Sequence, residues 1–130
     1  MRVKINIFIN GLRGERVLDF LLTKKIEVKN IFVSKKFNFI PSRQLIKLSP
    51  FFLETSHDLK KKDVENLLIN SNADMNVVAG FPFIFPNKII SSAKYGTINL
   101  HGGKLPEYRG GSPMNWQIIN NEKKMVISCI

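Results

Sequence analysis

The first 34 residues leave this chain little choice of architecture. Residues 3–10, "VKINIFIN", are rich in β-branched side chains and stop at Gly11. Residues 11–25, "GLRGERVLDFLLTKK", space Leu12, Val17, Leu21 and Leu22 along one helical face, with Lys24 and Lys25 at the end that favours cations. Residues 27–34, "EVKNIFVS", are β-rich again. A strand, a helix and a strand in such tight succession pair in parallel through a right-handed crossover.

The same alternation continues beyond a less regular segment. Pro41 and Pro50 break up residues 35–57, which read mostly as loop with a short strand near 45–48. From Asp58 the period is helical, with Leu59, Val64, Leu67 and Leu68 along one side and an end near residues 70–72. Residues 73–80, "ADMNVVAG", form a third strand that runs into "FPFIFP". A short helix over 87–93, a strand over 96–99, a helix from Pro113 and a last strand over 124–130 complete the chain. The expectation is one α/β domain over residues 1–130, Rossmann-like and doubly wound around a mostly parallel sheet. Ligands of such sheets bind beyond the carboxyl ends of the strands, where Gly80-Phe81-Pro82 and residues 99–103 each follow a strand directly.

Charge and cysteine content narrow the function classes. Twenty Lys and Arg against ten Asp and Glu give a net charge of +10, which favours anionic partners such as nucleotides, nucleic acid or an acidic membrane surface. The basic residues are dispersed, however, without the aromatic-interleaved stripe of a nucleic-acid groove. The one cysteine, Cys129, rules out an internal disulfide and any multi-cysteine metal site, and no metal is expected. Its apolar neighbours predict a buried thiol. The start "MRVKINIFIN" is too polar for a signal peptide, and residues 77–86 have about half the length of a membrane span, so a cytoplasmic, soluble protein is expected.

Two constellations could carry chemistry. Gly11-x-x-Gly14 at the first βα turn suits either a tight turn or a phosphate contact at a helix N-terminus, with Arg13 adding charge. It lacks the third glycine of a dinucleotide fingerprint and the Gly-Lys-Ser/Thr of a P-loop. Asn99 and His101 fall on the same face if the strand continues through them, with Cα atoms roughly 6.5 Å apart. An amide donor and an imidazole could then hold a small reacting group between them; a strand-end Asn and a His satisfied by backbone is the plainer reading. Around them, residues 99–113 hold four of the eight glycines and two of the six prolines, with Ser112-Pro113 as N-cap and first helical residue. That is a stiffened loop directly after a strand.

The segment "INLHGGKLPEYRGGSPMNWQIINNE" closely resembles the active-site segment of the 10-formyltetrahydrofolate-dependent formyltransferases. The family pattern is Asn-x-His, a short loop, then Leu-Pro-x-Tyr/Trp-Arg-Gly-x-x-Pro, matched here by Asn99, His101, Leu105-Pro106, Tyr108-Arg109-Gly110 and Pro113. The likeness is strong over residues 74–122 and loose over the amino-terminal βαβ. It implies formyl transfer from 10-formyltetrahydrofolate to an acceptor amine. Asn99 would stabilise the tetrahedral oxyanion, and His101 would stabilise it or move a proton. The pterin ring would lie against Gly80, Phe81, Pro82, Phe83, Ile84 and Phe85, although the three Phe also suit plain core packing. Gly11, Arg13, Gly14 and Arg109 are the candidates for acceptor contact, with Arg109 as readily a brace for its own loop. Trp116 reads as core.

The form "GGSPMNW" is closer to sugar N-formyltransferases, so the expected acceptor is an amino sugar on a nucleotide carrier. Methionyl-tRNA is the alternative, with tRNA as partner, and a purine-pathway ribonucleotide fits the loop less well. The family's third catalytic residue is an aspartate a few tens of residues beyond the histidine, whereas Asp19, Asp58, Asp63 and Asp74 all precede it. The chain ends at Ile130 within an apolar run, so an amino-terminal fragment with a sheet incomplete at the C-terminus is expected. Such a fragment would have weak or no catalysis, bind only folate, nucleotide or a partner chain, or pair as a homodimer. A small basic nucleic-acid binder is the remaining alternative.

Overall fold

The computed structural model describes residues 1–34, 52–55 and 62–130. Its elements run β1 (Lys4–Ile9), α1 (Gly11–Thr23), β2 (Glu27–Ser34), β3 (Phe52–Thr55), α2 (Lys62–Asn70) and β4 (Met75–Ala79). They continue with α3 (Asn87–Ile90), β5 (Thr97–His101), α4 (Pro113–Ile119) and β6 (Ser128–Cys129). The six strands form one sheet in the order β3-β2-β1-β4-β5-β6. The chain winds outward from β1 through β2 to β3, then returns to the other side of β1 to lay down β4 and β5. All these pairs are parallel. The doubly wound α/β class expected from the alternation is the observed one, and its reversal point lies between β1 and β4.

The strands read as near-continuous apolar runs because the sheet is covered on both faces. Ile5, Ile7 and Ile9 of β1 pack with Leu18 of α1 on one side. Phe8 and Phe32 stack with ring centroids 4.4 Å apart on the other, against Val64 and Leu68 of α2 and Ile89 of α3. Below the Phe8 row on that second face runs a polar one. Asn30, Asn6, Asn76 and Thr97 occupy paired positions on β2, β1, β4 and β5. Asn6 donates to Asn76 Oδ1 at 3.0 Å and accepts from Asn30 at 2.8 Å, and Asn76 donates to Ile89 O at 3.0 Å. Fully buried carboxamides are tolerated there because they satisfy one another.

Several expectations need correction. The segment 35–57, read mostly as loop, contains β3 at Phe52–Thr55. Its edge-on pairing with β2 supplies backbone bonds that local sequence does not announce. The short strand expected near 45–48, and Asp58 and Leu59 of the second helix, lie outside the described residues. In α1, Val17, Leu21 and Leu22 pack half-buried against the core as the period expects, with Gly14 and Leu18 fully buried beside them, whereas Leu12 is 68% exposed. The face is set by Gly14, where a Cβ would lie 2.6 Å from Ile9 Cβ, so that side of the helix sits hard on the sheet. α3 stops at Ile90, short of the expected 93. The last strand shrinks from 124–130 to Ser128–Cys129 and runs antiparallel to β5. The seven-residue α4, roughly 10 Å long, is too short to carry the chain back along the sheet, so the chain re-enters beside His101, at the end it left.

Candidate active site

Asn99 and His101 both belong to β5, which extends to His101, so alternation sets them on one face with Thr97. Register shows which face. Phe32 pairs with Phe8, Phe8 with Val78, and Val78 with Asn99. Asn99 therefore stands in an otherwise apolar row between Val78 and Ile130, exchanging backbone hydrogen bonds of 2.7 and 3.1 Å with Ile130. One wall of its surroundings thus excludes water, and a hydrogen bond counts for more there.

His101 lies one step further out, as the last residue of β5. Its Nε2 lies 2.6 Å from the Tyr108 carbonyl oxygen. A carbonyl only accepts, so Nε2 carries a proton and donates it, leaving Nδ1 of the neutral ring as the lone-pair nitrogen. Nδ1 has no protein partner among the described residues. Backbone thus satisfies one nitrogen of this histidine and fixes the orientation of the ring.

The loop that brings Tyr108 back is held from several sides. A Cβ on Gly103 would lie 2.9 Å from Tyr108 O and 2.7 Å from Pro113 Cβ, so only glycine admits the carbonyl so close to the histidine. Tyr108 N donates to Lys104 O at 2.8 Å, and the phenol donates to Glu122 Oε1 at 2.5 Å. That bond to the Glu122 carboxylate holds the phenol above its ordinary titration range. Gln117, 1% exposed, donates from Nε2 to Gly102 O at 3.0 Å, while its Oε1 accepts from Val126 N at 3.0 Å. Ser128 Oγ donates to Gly103 O at 2.8 Å and accepts from Leu105 N at 3.2 Å.

Two cavities meet at Asn99. A cleft of about 600 Å³ is lined by Arg13, Gly80, Asn99 and His101, with residues 81–84 on one wall and 110–113 on the other. An adjoining slot of about 380 Å³ is walled by Val78, Ile84, Phe85, Ile90 and Thr97, with Asn99 at its edge. Gly80, Phe81, Pro82, Phe83 and Ile84 all line the cleft; Phe85 lines the slot alone. The three Phe serve packing and lining together. Phe81 is 8% exposed and sits edge-on to Phe8 at 5.5 Å, while Phe83 and Phe85 are half-buried against the same cluster. Ile84, 97% exposed, stands at the junction of the two cavities.

The remaining sequence candidates divide. Arg13 reaches across the cleft: its guanidinium passes Gly80, occupies the space a side chain on Gly102 would need, and ends 2.9 Å from Met114 Sδ. It meets no carboxylate among the described residues. Gly11 opens α1 at φ +71°, and Gly14 is buried against Ile9 and the Ala79 carbonyl; neither lines a cavity. Packing accounts for Gly14 without a phosphate. Arg109 is exposed outside both cavities, with its guanidinium 3.5 Å from Pro106 O, the position of a loop brace.

Other expectations are reversed here. Trp116, read as core, is 55% exposed, and Cys129, read as buried, is exposed. Ser112 and Pro113 do begin α4, but Ser112 adopts φ +50° and makes no side-chain cap bond. Gln117 and Ser128 went unnoticed. The only signal for Gln117 was a polar residue inside "NWQII", which by helical spacing is as easily a solvent position. Among the described residues no three His, Cys, Asp or Glu converge on a metal position, and no helix is long and apolar enough to cross a membrane.

Comparison with known proteins bears on the family and the fold. A family model described as formyl transferase matches residues 1–128. Methionyl-tRNA formyltransferase of Orientia tsutsugamushi is 43% identical over 76 residues, which is 58% of this chain and 25% of that protein. The protein of the same name from Fusobacterium nucleatum is 34% identical over 94 residues, 72% of this chain and 30% of its own length. The chain thus spans about a quarter of the length of these curated relatives. A formyltetrahydrofolate deformylase from Pseudomonas syringae superposes with a TM-score of 0.76 at 16% identity, over 99% of this chain and 45% of that one. A phosphoribosylglycinamide formyltransferase from Bacillus halodurans does so at 0.71 and 18%, over 97% of this chain and 70% of that one. At these identities the solved structures share the fold.

Proposed function

Because this chain belongs to the formyl transferase family, we propose that its two cavities serve formyl transfer from 10-formyltetrahydrofolate to an acceptor amine. The observation that carries the reading is Asn99 at the edge of both cavities, with His101 beside it on one face. The slot, apolar and of about 380 Å³, suits the flat pterin ring; the exposed Ile84 and the ring of Phe85 would cover its faces. Phe81 and Phe83 would form the rest of that wall, with Gly80 and Pro82 on the cleft side of the same loop. The cleft, with Arg13 across it, would take the acceptor.

The donor supplies an electrophilic formyl carbon. Asn99 Nδ2–H would donate to the oxygen that turns anionic when the amine nitrogen bonds to that carbon. Nδ1 of His101 would take the proton the amine sheds, since Nε2–H is committed to the Tyr108 carbonyl. The ring so charged keeps both N–H groups, one still on Tyr108 and one able to return its proton to the folate nitrogen as the carbon–nitrogen bond breaks. Products are the N-formyl acceptor and tetrahydrofolate.

Arg13, a cation with no acid partner among the described residues, supports an acceptor that carries phosphate. The loop wording Gly110-Gly111-Ser112 favours an amino sugar on a nucleotide. A second reading, methionyl-tRNA, is favoured by the 43% identity to the Orientia protein. Arg109 would brace the loop in either case.

The test has two arms. Saturating 10-formyltetrahydrofolate should slow amide exchange over residues 80–86, and a loop that exchanges unchanged would sink the folate reading. Nucleotide-linked amino sugars and methionyl-tRNA are then offered in parallel, and formyl appearing on one of them names the acceptor class. Asn99→Ala should lower that transfer about 100- to 1,000-fold with donor affinity kept. Loop protection without transfer to either would favour a binding-only protein.

A further inference from the structure

We propose that Gln117 is a positioning residue that sets the orientation of the His101 imidazole through the Gly102-Gly103 backbone and the Tyr108 carbonyl. The role rests on reading His101 as the group that handles the amine's proton. Helix packing does not explain Gln117. It is the one buried side chain of α4, at 1% exposure, while its apolar neighbours Trp116, Ile118 and Ile119 are 55%, 66% and 66% exposed. A helix that needed only to cover the sheet would turn an isoleucine inward. A carboxamide goes there at a cost unless both its ends are paired.

Both ends are paired, and both with backbone around the histidine. Nε2 holds the carbonyl of Gly102, the residue next to His101, and Oε1 holds the amide of Val126 at 3.0 Å. Gly103 O is held in turn by Ser128 at 2.8 Å. The Gly103 backbone, so fixed, lies close to Tyr108, whose oxygen would stand 2.9 Å from a Cβ there. That oxygen is the acceptor of His101 Nε2–H. Glycines have the widest backbone freedom of any residue, so these two peptides keep one geometry only while something outside holds their carbonyls. Gln117 holds the first of them. Without it the Tyr108 oxygen loses its fixed place, and the ring loses the partner that selects Nε2–H.

The tautomer of His101 reads this directly, by imidazole nitrogen resonances of the whole 130-residue chain in alkaline solution. His57, the only other histidine, serves as internal reference. Wild type should show one His101 tautomer, protonated at Nε2. Folded Gln117→Met, equal in length and apolar, should show a mixture, with His57 unchanged. A single Nε2–H tautomer in folded Gln117→Met overturns the proposal. If that variant does not fold, wild type decides. As His101 is titrated, the Gln117 side-chain amide and the Gly103 amide should shift along the same curve as the ring, and signals indifferent to it overturn the proposal equally. Neither readout needs catalysis, so a Gln117 effect in a chain that never transfers formyl would uphold the positioning role and sink the reaction.

Discussion

α1 follows β1 after one residue and α4 follows β5 after an eleven-residue loop, and the two helices are built inside out relative to one another. α1 turns Gly14 and Leu18 inward and leaves its polar side chains in water. α4 turns Gln117 inward and leaves Trp116, Ile118 and Ile119 outside. The difference lies in what each helix rests on. Beneath α1 are the apolar side chains of β1 and β4, which reward a leucine. Beneath α4 are the bare carbonyls of a glycine loop, which reward a donor. The first helix holds the sheet together; the second holds the loop that orients His101.

That contrast can be broken at either helix. Leu18→Ala should cost about 2–5 kcal/mol in urea unfolding, the loss of a fully buried leucine. A much smaller loss would mean α1 is not the core helix. Gly103→Ala should cost about 1–3 kcal/mol by crowding the Tyr108 carbonyl, and should also scramble the His101 tautomer. Stability lost with the tautomer intact would separate the loop from the histidine.

The phenol of Tyr108 gives a finer probe. Its bond to Glu122 raises its folded-state titration. The contribution is therefore complete below about pH 10, the ordinary phenol value, and is lost as pH rises through the raised one. Tyrosinate absorbance of wild type should show a late-titrating phenol, and Glu122→Gln should bring it back toward the ordinary range. An unchanged curve would dissolve the anchor assigned to Glu122. The smallest effect belongs to the outer face of α4. Ile118→Gln should change stability by less than about 0.5 kcal/mol, and a cost above that would show the face to be covered in solution.

Much of this was legible in the residues. The β–α–β opening, the strand over "MNVVA" and the Asn99–His101 pair just before a glycine-rich loop were readable because each depends on spacing within a few residues. The aromatic wall at 81–85 was readable as a place, though not as two cavities sharing it. β3 escaped because its pairing partner, β2, lies in a different part of the chain. Leu12 was misplaced and Leu18 passed over, while Val17, Leu21 and Leu22 were read correctly. The period alone does not say which edge of the stripe turns fully inward until Gly14 is pressed against Ile9. Trp116 and Cys129 misled because an apolar residue in an apolar run is assumed to face inward, which holds only when the surface beneath is apolar too. Arg13 reads as charge for an anion and Arg109 as a brace, and the structure sets the first across the cleft and the second on its own loop.

The sequence by itself determined the doubly wound sheet and the strand end at which Asn99 and His101 stand, since local period and turn residues encode both. Only the tertiary structure decided that His101 donates through Nε2 and leaves Nδ1 without a protein partner among the described residues. That outcome depends on where the Tyr108 carbonyl and a buried Gln117 come to lie, and hydrogen bonds between distant residues leave no mark on local spacing.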